Sequence, residues 1–185
     1  MAWRGQTAPK DRILSCLPYL LPLIDVYGFG LVFSSLPLLP PILAQLIMWV
    51  YIPLYPVMLL YGYIGRFVPF FEFIVFFVLF LLVVRNERLI HFLRFHTMQA
   101  LMLSIFAYLC AAILQLMGLL QIPSVFSLLT FPVVPAASAP IIVVLLVGVI
   151  FLVVVAACIY SIAQALRGMY AEIPVISEAA YAQTR

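Results

Sequence analysis

VVRNERLIHFLRFHTMQA, residues 83–100, decides how this chain is laid out. It holds three of the nine Lys and Arg residues, Arg85, Arg88 and Arg94, and both histidines, His91 and His96. From residue 95 to residue 166 there is no Asp, Glu, Lys or Arg at all. The chain around it is 68% hydrophobic and 8% charged, where a soluble domain is about 25% charged. A water-soluble fold of 185 residues would have to turn much of that apolar surface outward. The composition therefore indicates an all-α integral membrane protein. The net charge of +3 includes a single Lys, and the bases cluster beside apolar runs. That is the pattern of juxtamembrane residues, not of a nucleic-acid interface. Cys16, Cys110 and Cys158 each lie inside an apolar run, and an odd number so placed argues against a disulfide framework.

Charge also counts the crossings. A helix needs about 20 apolar residues to span the hydrocarbon layer, and five stretches qualify: 13–34, 39–63, 67–84, 98–120 and 140–166. If all five cross, the better orientation leaves five bases inside and four outside, which is no bias. If 39–63 does not cross, eight bases share one side and only Arg66 is on the other. Lys and Arg flanking membrane segments prefer the cytoplasmic face, so four transmembrane helices are expected. Pro40, Pro41, Pro53 and Pro56 also break 39–63, which predicts an embedded or interfacial segment that leaves on the face it entered. Residues 1–12, 85–97 and 167–185 then form the inner tail, basic loop and second inner tail, and the Pro-broken 121–139 is the outer loop. The first twelve residues carry Arg4, Lys10 and Arg12 without a cleavage pattern, so the first apolar run is expected to stay in the membrane.

Few residues invite chemistry. Asp25 is an acid inside the first apolar run, costly at depth unless paired, protonated or hydrated; the prolines and glycines around it equally suit an interfacial position. Thr97, Ser104, Tyr108, Ala111, Gln115 and Gly118 follow helical steps along the third span, and Ala157, Ser161, Gln164 and Gly168 along the fourth. Such small and polar stripes serve ordinary helix packing, or a semi-polar lining for a passing chain. Glu72 follows Arg66 by six residues, on a different helix face, and reads as an interfacial solvated carboxylate. His91 and His96, five apart and without a third ligand nearby, make a poor metal pair. No HExxH, GxSxG or phosphate-cradling loop is present, so neither an enzyme nor a cofactor is expected.

The quoted stretch also carries a resemblance. Phe73-Ile74-Val75-Phe76-Phe77 leading into Val83-Val84-Arg85-Asn86, then Arg94-Phe95-His96-Thr97-Met98-Gln99-Ala100, resembles the twenty-kilodalton subunit family of the chloroplast inner-envelope translocon and its cyanobacterial relatives. Leu17-Pro18-Tyr19-Leu20-Leu21-Pro22 with Gly28-Phe29-Gly30, and Ile173-Pro174-Val175-Ile176-Ser177-Glu178-Ala179-Ala180, are similar to that family's first helix and tail. The resemblance implies four transmembrane helices with both termini on the stromal or cytoplasmic side. It implies a membrane subunit of a protein-translocation complex, in the inner (plasma) membrane of a cyanobacterial-type cell or, alternatively, the plastid inner envelope. Its partners would be the lipid bilayer, further copies or other translocon subunits, and a polypeptide substrate. The loop residues Arg85, Arg88 and Arg94 would meet partners or headgroups. The competing readings are a small-solute carrier or channel with Asp25 and Gln99 near its site, and a structural membrane protein without a transport role.

Overall fold

The computed structural model describes residues 8–35, 39–119, 140–174 and 176–184, and every regular element among them is helical. The outer loop expected at 121–139 lies outside the described residues.

Proline placement explains where the helices start and break. The first run begins as α1 (Pro9–Cys16), passes through a 3-10 turn at Leu17–Tyr19, and continues as α2 (Leu20–Asp25). It then bends by 45° into α3 (Tyr27–Ser34). Pro18 and Pro22 lack the N–H that a continuous helix would use, and their rings crowd the preceding turn. The stretch that follows is α4 (Pro41–Trp49), a 3-10 turn at Ile52–Leu54 and α5 (Tyr55–Phe67), each with a proline in its first two positions. There the missing N–H costs nothing, because the first turn leaves it unpaired anyway. α6 (Phe71–Leu79) runs into a π-helical turn at Phe80–Val84. α7 (His91–Leu116) takes in the end of the basic stretch, α8 (Ile141–Leu166) starts after Pro140, and α9 (Ile176–Thr184) closes the chain. Gly118 and Gly168, at φ 65° and 74°, end α7 and α8. Each allows the left-handed residue that lets the next N–H reach back, Leu119 to Leu114 at 3.1 Å and Met169 to Gln164 at 2.9 Å.

By length and hydropathy, Ala44–Phe67, His91–Leu116 and Ile141–Leu166 can each cross a bilayer, and α1–α3 makes a fourth span when the bent pair is counted as one. The membership differs from the sequence expectation. Ala44–Phe67 is long enough to qualify, whereas Phe71–Val84 is nine residues of α-helix and five of π-helix, about 21 Å at the α-helical rise.

Side-chain pairings give each helix its direction. Tyr19 meets His96 and Asp25 meets Tyr108, so α1–α3 runs parallel to α7. Cys16 meets the Ile162 carbonyl and Gly30 meets Phe151, so α8 runs the other way. The Arg94 guanidinium reaches the Val84 carbonyl while Glu72 and Tyr108 line one groove, so α6 is antiparallel to α7. The start of α1, the 85–90 turn, the end of α8 and α9 therefore gather at one end of the bundle. The end of α3 and the start of α6 lie at the opposite end.

The core lies where α1–α3, α7 and α8 meet, around Tyr19, Phe29, Leu103, Val147, Val154 and Cys158. Two glycines allow α3 and α8 to approach closely. A Cβ on Gly30 would lie 2.8 Å from the Phe151 ring, and a Cβ on Gly148 would overlap the Phe33 ring. Each helix thus seats an aromatic side chain in the glycine gap of the other. The outward surface is apolar, including Leu116, Phe70 and Ile142, each more than 70% exposed. Such a surface is stable only where lipid or another protein covers it.

Candidate functional site

The quoted stretch folds as a turn with a purpose. The Arg85 N–H closes the π turn onto Phe80 at 3.0 Å. Asn86 then accepts the Arg88 N–H on its side-chain oxygen at 3.0 Å, an Asx turn that reverses the chain. Arg94, one turn into α7, donates from Nε to the Val84 carbonyl at 2.8 Å, which ties the end of α6 to the start of α7. Phe95 is fully buried and packs on Tyr181 of α9, with ring centroids 4.5 Å apart, and on Tyr170 at 5.0 Å. Met98 and Ala180 share the same small core. The family-like tail and the family-like loop are thus one packed unit.

Just above that unit is a buried polar chain. Tyr19 Oη donates to Gln99 Oε1 at 3.1 Å, and Gln99 Nε2 donates to the Ala171 carbonyl at 3.1 Å. The phenol has one proton, already given to Gln99, so the 2.9 Å contact with His96 Nδ1 assigns the ring proton to Nδ1, which donates to Tyr19 Oη. Tyr19, His96 and Gln99 are all 0% exposed. The chain joins three segments: the 3-10 turn, α7 and the link to α9. Both amide atoms of Gln99 are consumed by it, so Gln99 is not open to a solute and does not meet Asp25.

A second polar group lies toward the opposite end. Tyr108 Oη donates to Asp25 Oδ1 at 2.9 Å. Asp25 Oδ2 and the hydroxyl of Ser104, a residue 1% exposed, are buried without a hydrogen-bond partner among the described residues. Glu72 and Tyr108 also line a groove of about 460 Å³ whose other walls include Phe73, Phe76, Phe77 and Ile105. Among the described residues no set of three His, Cys, Asp or Glu side chains is placed to hold a metal.

The predicted stripes divide by depth. Thr97 and Ser104 are buried, Ala111 is half-buried, and Tyr108 and Gln115 are exposed. Thr97 spends its hydroxyl on the Leu93 carbonyl of its own helix at 2.8 Å. On α8, Ser161 is buried and Ala157 and Gln164 are half-buried. Gly118 and Gly168 lie beyond the helix ends. Sequence reasoning passed over Tyr19, His96 and Glu72 as site residues. The available signal was a lone hydroxyl or imidazole in an apolar run, since a buried polar group must find a partner.

Comparison with known proteins finds relatives along most of the chain. The family model described as "Chloroplast import apparatus Tic20-like" covers residues 6–180. A "Tic20 family protein" of Synechocystis sp. is 36% identical over all of this chain and 99% of its own length. "Protein TIC 20-I, chloroplastic" of Arabidopsis thaliana is 31% identical over 93% of this chain, which spans about half, 53%, of that longer protein. With a bundle of apolar helices long enough to cross a membrane, and a full-length match to the Synechocystis protein, the chain belongs to the Tic20 family as a cyanobacterial-type member.

Proposed function

We propose that the chain is a multi-pass subunit of a protein-translocation or membrane-insertion complex in the inner membrane of a cyanobacterial-type cell. The observation that carries this reading is the family match over residues 6–180, joined by two relatives whose names place them in the same family. The end of the bundle that gathers Arg85, Arg88, Arg94 and Arg167 is taken as the cytoplasmic or stromal face, as the preference of Arg for that side requires. On this reading α1–α3, α6, α7 and α8 cross, and 39–63 does not, because both of its neighbours, α3 and α6, meet it at the other end. The short span of α6 is tolerated by local thinning of the bilayer.

The bundle interior is filled by Phe29, Tyr19, Leu101 and Val154, each no more than 1% exposed, and it leaves no path for a polypeptide. A translocating chain must therefore pass along the outside, with further copies or partner subunits completing the wall. The half of the α7 stripe that is exposed among the described residues, Tyr108 and Gln115, is the surface assigned to that wall. Photo-crosslinkers at Gln115 and, as a control, at Leu152 on α8 test this in gently solubilised membranes. Adducts with a translocating polypeptide or a partner subunit from Gln115, and few from Leu152, are expected. Equal yields from both positions would remove the stripe from the path. Purification of a lone protein that binds a small solute would favour the carrier reading instead.

A further inference from the structure

We propose that a groove walled by α1–α2 and α6 seats one acyl chain of an anionic glycerophospholipid, whose headgroup is held by the bases at that end of the bundle. The groove has a volume of about 330 Å³. Leu14, Leu17 and Ile24 come from α1–α2, Val75 and Val83 from α6 and its π turn, and Tyr61 from α5. Thr97 of α7 is at its floor, 0% exposed. Among the lining side chains only Tyr61 and Thr97 carry a polar atom, and Thr97 gives its hydroxyl proton to the Leu93 carbonyl at 2.8 Å. The walls therefore recognise hydrocarbon. Leu14 and Leu17 are 45% and 52% exposed, so the groove opens sideways to the surrounding lipid.

Length and charge identify the occupant. From Leu14 to Ile24 the groove follows the helix for about 15 Å, half of the roughly 30 Å hydrocarbon core, which is the reach of one chain in one leaflet. A helix about 10 Å across would fill about 1,200 Å³ over that length, far more than the groove holds. The deep end lies toward the start of α6, where the Tyr61 ring meets Phe71 with centroids 5.0 Å apart. The other end opens among bases. Lys10 lies one helical turn before Leu14 on the same face, Arg85 follows Val83 by two residues, and both are exposed. Arg94, tied through Nε to the Val84 carbonyl at 2.8 Å, and the exposed Arg88 belong to the same end. These four outnumber the acids beside them, Asp11 and Glu87. Lys and Arg hold phosphate oxygens through charge-assisted hydrogen bonds. The chain and the headgroup of one lipid thus meet an apolar slot and a basic mouth in the order in which a leaflet presents them. The site stands independently of the translocation reading.

Native mass spectrometry of the purified full-length protein tests it, with phosphatidylglycerol or phosphatidylcholine of the same chain length titrated into the detergent. A saturable adduct of one phosphatidylglycerol per chain is expected, and a much weaker one with phosphatidylcholine. No such adduct with the wild-type protein, or equal retention of both lipids, would overturn the proposal, and neither result depends on a variant folding. Leu17→Trp fills the groove from an exposed position and should abolish the adduct. Ile142→Trp, on the outward face of α8 and 73% exposed in the parent, should keep it. Retention by both variants would place the lipid elsewhere and overturn the assignment. Lys10→Gln combined with Arg85→Gln should weaken retention on the order of 20-fold, and unchanged retention would remove the basic mouth from the site. A dimer that forms without lipid and is lost in Leu17→Trp would assign the groove to a second copy of the chain instead.

Discussion

Gly30→Ala sets two effects of opposite sign against each other. Alanine is the better helix former by about 0.8–1.0 kcal/mol, and Gly30 lies inside α3, so propensity alone makes the variant more stable. The packing reverses the sign. The new Cβ would lie 2.8 Å from Cε2, 3.1 Å from Cζ and 3.3 Å from Cδ2 of Phe151, where carbon atoms settle at about 3.5–4.0 Å. Phe151 is 3% exposed and rests against Tyr51, with ring centroids 6.3 Å apart, so the ring has little room to withdraw. Overpacking of this kind costs about 1–3 kcal/mol. Subtracting the propensity gain leaves a net loss of about 1 kcal/mol. Equilibrium unfolding in mixed detergent–SDS micelles measures it. Phe151→Leu combined with Gly30→Ala should be less destabilised than the two single losses added together, with a coupling of about 0.5–3 kcal/mol. A Gly30→Ala variant more stable than the parent would refute the close crossing of α3 and α8.

Tyr19→Phe strips His96 and Gln99 of their shared partner and should cost about 1–3 kcal/mol. Because Gln99 holds the Ala171 carbonyl, the same variant should expose the link between α8 and α9 to protease, and unchanged digestion would argue against the tether. Arg94→Met removes the charged donor on the Val84 carbonyl; a loss of about 1.5–3 kcal/mol is expected, with faster amide exchange confined to residues 85–90. In a background lacking Cys16, Cys110 and Cys158, single cysteines at Glu87 and Glu178 should react with an impermeant reagent from the same side of the membrane, and one at Phe70 from the opposite side. Labelling of positions 70 and 87 from one side would break the proposed path of α6.

Much of the architecture is legible without coordinates because the bilayer makes composition decisive. Apolar runs near the length of a membrane core must be helical, and prolines mark where they start or break. Arg85, Arg88 and Arg94 identify one end of the bundle, and Asp25 announces itself as the single acid in the first run. Run length was a weaker guide: the chain behind 39–63 and 67–84 divides into helices whose lengths differ from the runs, and Pro53 and Pro56 set helix starts that hydropathy does not register.

What composition and period could not supply is the choice of partner. Helical spacing says that Thr97, Ser104 and Tyr108 share a face, but not that Thr97 bonds its own backbone while Tyr108 bonds an acid from another helix. The decisive contacts join residues 77, 80 and 83 positions apart. They exist because bundle packing brings the turn at Tyr19, the start of α7 and the tail to one depth, and Asp25, Glu72 and Tyr108 to another. The sequence determined that this is a membrane bundle with its charge at one end. Only the tertiary structure decided which few polar groups satisfy one another inside it, because in an apolar interior a hydrogen bond depends on registry to a fraction of an ångström, which no one-dimensional pattern encodes.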